Sequence, residues 1–350
     1  MLPLHLMKKV LSLILLASLF AGLAPIYARK PLKLRVLQWN VWQEGTTVSG
    51  GFNAIVDEIV RLQPDFVTLS EVRNYHNTNF TRRLCDALQQ KGVTYYSFYS
   101  YDTGVLSRWP IADSVVVFPC NKDHGSIHKL TSRVKGRTIH VYTAHLDYLD
   151  DAYYNVRGYD GNTWREVERP KDVKELLRMN DASWRDDATR IFLNEARHDL
   201  AEGGIVILGG DFNEPSWQDW TPATAQLFDH HGFVVPWTVT RMLTDAGFRD
   251  AFREHWPDPV AYPGFTYPTW NTAVSVGKLT WAPKADERER IDYIFYQGKG
   301  VRAVSADVFG PDIMVCRSRP VGDAPGSPLV KPLGTWPSDH RGVLVDLEVK

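Results

Sequence analysis

The feature that most constrains this chain is a repeated alternation. Short apolar runs of strand length are separated by segments of helical period, and several runs end on Asn, Asp, Glu or His. Leu34-Arg35-Val36-Leu37-Gln38-Trp39-Asn40 is the first such run. Phe52, Ile55, Val56, Ile59 and Val60 then fall on one face of a helix, which Pro64 terminates. Phe66-Val67-Thr68-Leu69-Ser70 is the next strand, and Leu84 and Leu88 mark a second helix that stops near Gly92. Strands at Val105-Leu106-Ser107 and Ser114-Val115-Val116-Val117 flank Trp109-Pro110, and Lys135-Gly136 forms a hairpin turn into Thr138–Thr143. Ile191, Phe192, Ala196 and Leu200 mark a helix before the strand Ile205–Leu208, and strands at 290–296 and 342–347 close the chain. From Pro31 onward no repeat, low-complexity tract or linker interrupts the pattern. It predicts an α/β domain of about 320 residues in which two sheets are faced by helices.

Composition narrows the class further. At 44% hydrophobic and 12% aromatic, the chain is too apolar to stay disordered. Lys and Arg number 40 against 41 Asp and Glu, for a net charge of −1, so there is no bulk pull on nucleic acid or anionic membrane. A local basic groove or a bound metal would have to supply any such field. Cys85, Cys120 and Cys316 are too few and too scattered for a disulfide framework or a zinc site, and the sequence does not choose a pair. At the N-terminus, Lys8-Lys9, the apolar run Val10–Leu23 and Ala28 before Arg29-Lys30 have the order of a secretory signal. The run is short of the ~18–20 residues that span a bilayer. The expected organisation is a signal peptide over 1–28 and one domain over 29–350. An insertion at about 150–185 is charged, aromatic and irregular, with short helices, and is a candidate lid. The expected location is secreted or periplasmic.

The polar residues at strand ends make a coherent inventory. Glu71, Asp211, Asp292 and Asp339 are carboxylates, Asn40 and Asn213 are neutral oxygen donors, and His145 and His340 titrate near neutrality. Hard oxygen ligands of this kind suit Mg²⁺, Mn²⁺ or Ca²⁺ rather than zinc. Acids around a divalent ion, with His as a proton carrier, suit phosphate-ester hydrolysis. Asp292 lies between Ile291 and Tyr293, where a buried acid needs a partner. Asp147 is open to a ligand or a loop-capping role. Lys284, Arg288 and Arg290 read as a solvated run, and His124, His128, His140, His198, His230, His231 and His255 as surface or packing residues. The aromatic pieces Tyr153-Tyr154, Trp164, Tyr262–Tyr267 and Trp270 read as loop packing, with substrate stacking as the alternative. Phe233-Val234-Val235-Pro236-Trp237 reads either as the lead-in to a helix or as a membrane-docking loop.

Gln38-Trp39-Asn40-Val41, Ser70-Glu71-Val72, Thr143-Ala144-His145-Leu146-Asp147, Gly210-Asp211-Phe212-Asn213, Arg290-Ile291-Asp292-Tyr293 and Ser338-Asp339-His340 also carry a resemblance. In this order they resemble the endonuclease/exonuclease/phosphatase superfamily, across nearly the whole mature chain. The resemblance implies a four-layer α/β/β/α sandwich, two packed mixed β-sheets flanked by helices. It implies that Glu71 is the main metal ligand with Asn40 and Asp339 beside it. Asp211 and Asn213 would orient the attacking water and contact the scissile phosphate, with Asp211 also open to a second metal. His340 would be general base or phosphate stabiliser, its tautomer fixed by Asp292. His145 would be a second phosphate-facing His, as in nuclease and sphingomyelinase branches, with Asp102 as a loose match for its orienting partner. The implied function is divalent-metal-dependent phosphodiester hydrolysis. The alternatives are a phosphomonoesterase acting on a sugar or inositol phosphate, and a secreted binding protein of the same fold without turnover. The partner is a phosphate-ester substrate of open identity, with no strong nucleic-acid or membrane signature.

Overall fold

The computed structural model describes residues 31–323 and 326–350, so the signal segment read at 1–28 lies outside the described residues. In chain order the elements begin β1 (Leu32–Asn40), α1 (Gly51–Leu62), β2 (Phe66–Val72), α2 (Phe80–Gln90) and β3 (Asp102–Ser107). β4 (Ile111–Phe118), β5 (Gly125–Val134) and β6 (Arg137–Leu146) follow as an antiparallel meander. Next come α3 (Ala152–Val156), α4 (Val173–Asn180), α5 (Arg185–Ala201), β7 (Ile205–Asp211), α6 (Thr238–Asp245), β8 (Arg249–Asp250) and α7 (Ala251–His255). The chain ends with β9 (Asp292–Gln297), β10 (Val301–Phe309), β11 (Ile313–Cys316), β12 (Arg319–Gly322), β13 (Leu329–Val330) and β14 (Gly342–Val349). One six-stranded sheet has the order β13-β10-β14-β1-β2-β3 and the other β4-β5-β6-β7-β9-β8, while β11 and β12 form a separate ribbon. Both sheets mix parallel and antiparallel pairs.

The two helical layers are apolar for the reason the sequence pattern anticipates. Ile55 and Ile59 of α1 and Leu84 and Leu88 of α2 bury against Leu37 and Trp39 of β1. Phe192 and Ala196 of α5 and Leu243 of α6 bury against Tyr142, Leu208 and Phe295 of the second sheet. Each Ile, Leu or Phe among them, fully removed from water, contributes about 1.5–3 kcal/mol. The two sheets pack face to face between these layers, the expected α/β/β/α sandwich.

The seam between the sheets is polar instead. Ser70 Oγ donates to Ala144 O (3.1 Å), Thr143 Oγ1 to Leu69 O (3.3 Å), and Thr103 Oγ1 lies 2.8 Å from His128 Nδ1. A Cβ at Gly209 would stand 2.2 Å from Thr68 Oγ1, so only glycine allows β7 this close to β2. Small hydroxyl residues and glycine bring the sheets near enough for their strand ends to share one cleft.

Several sequence expectations change. β10 to β13 were not anticipated, because β10 alternates polar residues such as Arg302 and Asp307 with buried ones and takes its order from pairing with β14. Arg290 is not solvated: it is buried and paired with Asp219 (2.8 Å) and Asp250 (2.7 Å). The segment before α6 is a helix lead-in, with Val235 and Trp237 buried in an aromatic cluster. Cys85, Cys120 and Cys316 are all free thiols. No helix among the described residues is long and apolar enough to cross a membrane.

Candidate active site

Strand register sets the floor of the site. His145 on β6 pairs in register with Asp211 on β7, and Asp211 with Asp292 on β9, so three chemically active side chains lie in one row across three strands. From the facing sheet, Asn40 ends β1 opposite Ser70 of β2. Glu71 follows at a β-bulge: Ser70 pairs with Thr103 and Val72 with Asp102, leaving Glu71 unpaired at φ 65°. A bulge re-aims one side chain without ending the strand, and here it directs Glu71 into the cleft. Asp102 (φ 69°) and Asn213 (φ 48°) are also left-handed, a clustering of strained backbone of the kind found at functional sites.

Hydrogen bonds knit these groups together. Asn40 Nδ2 donates to Glu71 Oε1 (3.0 Å) and to Asp211 Oδ2 (2.9 Å), while its Oδ1 accepts from the Trp42 N–H (2.9 Å). Glu71 Oε2 accepts from the Gln43 N–H (2.8 Å). Asp211 Oδ1 accepts from the Asn213 N–H (3.0 Å), and Asn213 Nδ2 donates to Leu146 O (3.0 Å). His340 Nδ1 lies 2.9 Å from Asp292 Oδ2 and 3.7 Å from Asp211 Oδ2. Behind Asp292, Gln38 Nε2 reaches its Oδ1 (3.4 Å) and its own N–H donates to Thr266 Oγ1 (3.1 Å). Across the cleft, His145 Nδ1 lies 2.9 Å from Asp102 Oδ1, and Arg73 Nη1 reaches the same oxygen at 3.1 Å. Glu71, His145, Asp211, Asn213, Asp339 and His340 line one cavity of about 310 Å³. Asn40 and Asp292 stand directly behind it.

Burial and neighbouring charge shift these groups strongly. Burial alone would lower the His340 imidazole, but Asp292 and Asp211 outweigh it and hold it up at about 10. Burial likewise opposes charge on His145, and Asp102 overrides it to hold the ring at about 9. Burial and Asp292 push the Asp211 carboxyl up to about 6, against the pull of His340 and His145. Burial raises Asp339 to about 7, with His340 opposing and Glu71 adding to the rise.

Asp147 takes the capping role. It accepts from the Leu149 N–H (3.0 Å) and the Trp184 N–H (3.1 Å) and meets His124 Nδ1 at 2.9 Å. Arg73, Gln43 and Thr266 were missed by sequence reasoning. Arg73 stands two residues beyond Glu71, a spacing that carries no signal without the bulge, and nothing local marks Thr266. Tyr153, Tyr154 and Trp164 pack in a cluster with Trp220 and Trp237, as the packing reading expects, and together with Tyr267 and Trp281 they also line the cavity.

With this geometry in view, the comparisons are specific. Residues 37–340 match the sequence model of the Endonuclease/Exonuclease/phosphatase family. The chain belongs to that family. A Caenorhabditis elegans protein described as uncharacterized is 27% identical over 279 residues, covering 76% of this chain and 79% of that protein. Danio rerio TDP2, solved with a single-strand DNA product, shares the fold at 18% identity and a TM-score of 0.52, covering 90% of this chain and 98% of its own. The human Nocturnin catalytic domain, solved with a bound sulfate, does so at 16% identity and a TM-score of 0.50, covering 91% and 95%.

Family members are generally metal-dependent phosphoester hydrolases, and the residues here fit a divalent cation. Asp339 Oδ1 is buried with no hydrogen-bond partner, and burial, with the Glu71 charge adding to it, raises the carboxyl to about 7. A hard cation between Glu71 and Asp339 would relieve both. Among the described residues, Asp211, Asp292 and His340 also place one ligating atom each within 4.8 Å of one another. In that group the His340 Nδ1 is already engaged by Asp292, the arrangement of an orienting pair.

Proposed function

We propose that the protein is a divalent-metal-dependent hydrolase of phosphate esters that cleaves a phosphodiester by in-line attack of water. The observation that carries this reading is the meeting of Glu71, Asp211, Asn213, Asp339, His145 and His340 in one cavity, with an orienting carboxylate behind each His. Glu71 and Asp339 would hold Mg²⁺, or Mn²⁺ or Ca²⁺ in its place; Asn40, expected as a ligand, instead turns its amide N–H₂ to Glu71 and Asp211 and its oxygen to the Trp42 N–H, and so positions Glu71. A bound ion supplies positive charge to the phosphate oxygens.

The remaining steps belong to the chain's own side chains. Asp211, raised to about 6, is basic enough to take a proton from the attacking water and still largely ionised at neutral pH. His340 is held protonated by Asp292 and Asp211, so its Nε2–H donates to a phosphate oxygen; this favours phosphate stabiliser over general base. His145, protonated against Asp102, donates in the same way from the other side. The Asn213 amide adds a neutral donor. Such donors are aimed before the reaction begins, and in a water-poor cleft removing one typically costs about 10²–10³ in kcat.

Hydrolysis of bis-p-nitrophenyl phosphate by the purified protein tests the reading. Turnover should require Mg²⁺ or Mn²⁺, stop in EDTA and fall at least a hundredfold in Glu71→Gln. Turnover unchanged by EDTA would contradict it, and no turnover on this diester, p-nitrophenyl phosphate, DNA or phospholipid would favour the binding-protein alternative.

A further inference from the structure

The cavity has a second wall, which the phosphate chemistry does not use. Tyr153 and Tyr154 of α3, Trp164 from the same insertion, and Tyr267 and Trp281 from the loop before β9 line it together with Asp151. The rings are packed on one another: Tyr153 and Tyr154 centroids lie 4.4 Å apart, Tyr154 and Trp164 4.9 Å, and Trp164 and Trp281 5.2 Å. The wall is pinned from behind. Arg157 is buried and donates to Asp286 O (2.5 Å), Glu289 Oε1 (2.6 Å) and Phe228 O (3.0 Å). Arg185 donates to the carbonyls of Asp147 (2.7 Å), Leu149 (2.9 Å) and Asp150 (2.8 Å). The insertion is thus a fixed side of the site, and its aromatic faces are organised before a ligand arrives.

The charge of this half is informative. Among the described residues lining the cavity, Arg73 is the one Lys or Arg, and it is committed to Asp102 (3.1 Å) and Asp123 (2.6 Å). Asp123 and Asp151 also line the cavity. Asp123 is already paired with Arg73 and burial pushes Asp151 well above the ordinary carboxylate range, so a second phosphate beyond the two imidazoles would find no uncommitted lysine or arginine in the lining. A polynucleotide needs a row of cations along its backbone, and the lining offers none. Aromatic faces accept the C–H faces of saturated rings, and the buried Asp151 carboxyl at the edge of the wall can exchange hydrogen bonds with ring hydroxyls. A volume of about 310 Å³ is at the lower end for small-molecule sites.

We infer that the substrate is a small ester or diester bearing one phosphate on an uncharged, polyhydroxylated ring, a sugar or cyclitol, with the ring seated against the Tyr153–Trp164 wall and its hydroxyls on Asp151. The inference rests on the hydrolase reading for which phosphate is attacked, but the ring subsite can be tested by binding alone. Tryptophan fluorescence of the full protein with Mg²⁺ is titrated with glucose 1-phosphate, glucose 1,6-bisphosphate, cyclohexyl phosphate and inorganic phosphate. Glucose 1-phosphate should bind at least tenfold more tightly than the other three. Asp151→Asn and Trp164→Ala should each weaken it about tenfold and more than they weaken inorganic phosphate. Trp164 sits at the half-buried rim, so its variant remains informative if Asp151→Asn fails to fold. Equal or tighter binding of the bisphosphate or of cyclohexyl phosphate, or no selective loss in Trp164→Ala, would overturn the inference. If bis-p-nitrophenyl phosphate is not hydrolysed yet these affinities follow the expected order, the hydrolase reading fails and the ring subsite stands.

Discussion

Two imidazole–carboxylate pairs face each other across the cleft, and they are built differently. Asp292 is sealed: its Oδ2 holds His340, its Oδ1 meets the neutral Gln38 amide, and a second carboxylate, Asp211, lies 3.7 Å from the same ring. Asp102 is shared. Its Oδ1 serves both His145 and Arg73, Arg73 reaches on to the half-exposed Asp123, and its Oδ2 is buried without a partner. The difference teaches that one His is charged by a closed set of acids and the other by an acid already balanced by a guanidinium. The first ring has two carboxylates within 3.7 Å, and the second has one, with Asp211 and Glu71 acting on it from farther away.

The largest effect should separate the pairs by activity. His340→Gln is expected to lower kcat by about 10²–10³, the cost of losing a preorganised donor beside the reacting phosphate. His145→Gln should cost less, at the lower end of that range, because the Asp102 carboxylate that holds it is shared with Arg73. Steady-state kinetics on bis-p-nitrophenyl phosphate checks both, and equal losses would erase the distinction drawn here.

A smaller effect concerns titration. In Asp102→Asn the His145 ring keeps Arg73 nearby and loses its carboxylate, so its pKa should fall from about 9 to at or below the ordinary ~6.5. In Asp292→Asn the His340 ring retains Asp211 and should stay above the ordinary value. The sign for stability follows from linkage. Both rings have folded-state pKa values raised above the unfolded one, so their contribution is complete below pH ~6.5 and is lost as pH rises through about 9 and about 10. Urea unfolding of the wild type should show stability declining over that window, with a smaller decline in Asp102→Asn. Imidazole resonances that titrate alike in the two Asn variants would break the comparison.

Much of this architecture is legible in the sequence, for a local reason. β1, β2, β7 and β9 are short apolar runs that carry Asn40, Glu71, Asp211 and Asp292 at or beside their ends, and a polar residue at the end of a buried strand needs no tertiary context to be noticed. The apolar faces of α1, α2 and α5 are legible for the same reason. What escaped depends on partners far along the chain. Arg290 looks solvated until Asp219 and Asp250, 71 and 40 residues away, close around it. Glu71 looks like an ordinary strand end until the register with β3 shows the bulge that aims it. The polar seam is spread as single Ser, Thr and Gly residues over many strands, so no window of sequence contains it. Tyr153 and Trp164 are legible as packing residues, but only their place beside Tyr267 and Trp281, more than a hundred residues on, shows that the same rings line the cavity.

The direct measurement is where a divalent ion sits. Crystals of the protein soaked with Mn²⁺ and measured at the manganese edge should give an anomalous difference peak between Glu71 and Asp339, and Glu71→Gln should remove it. A peak confined to the Asp211, Asp292 and His340 group, or no peak in the cavity at all, would contradict the account.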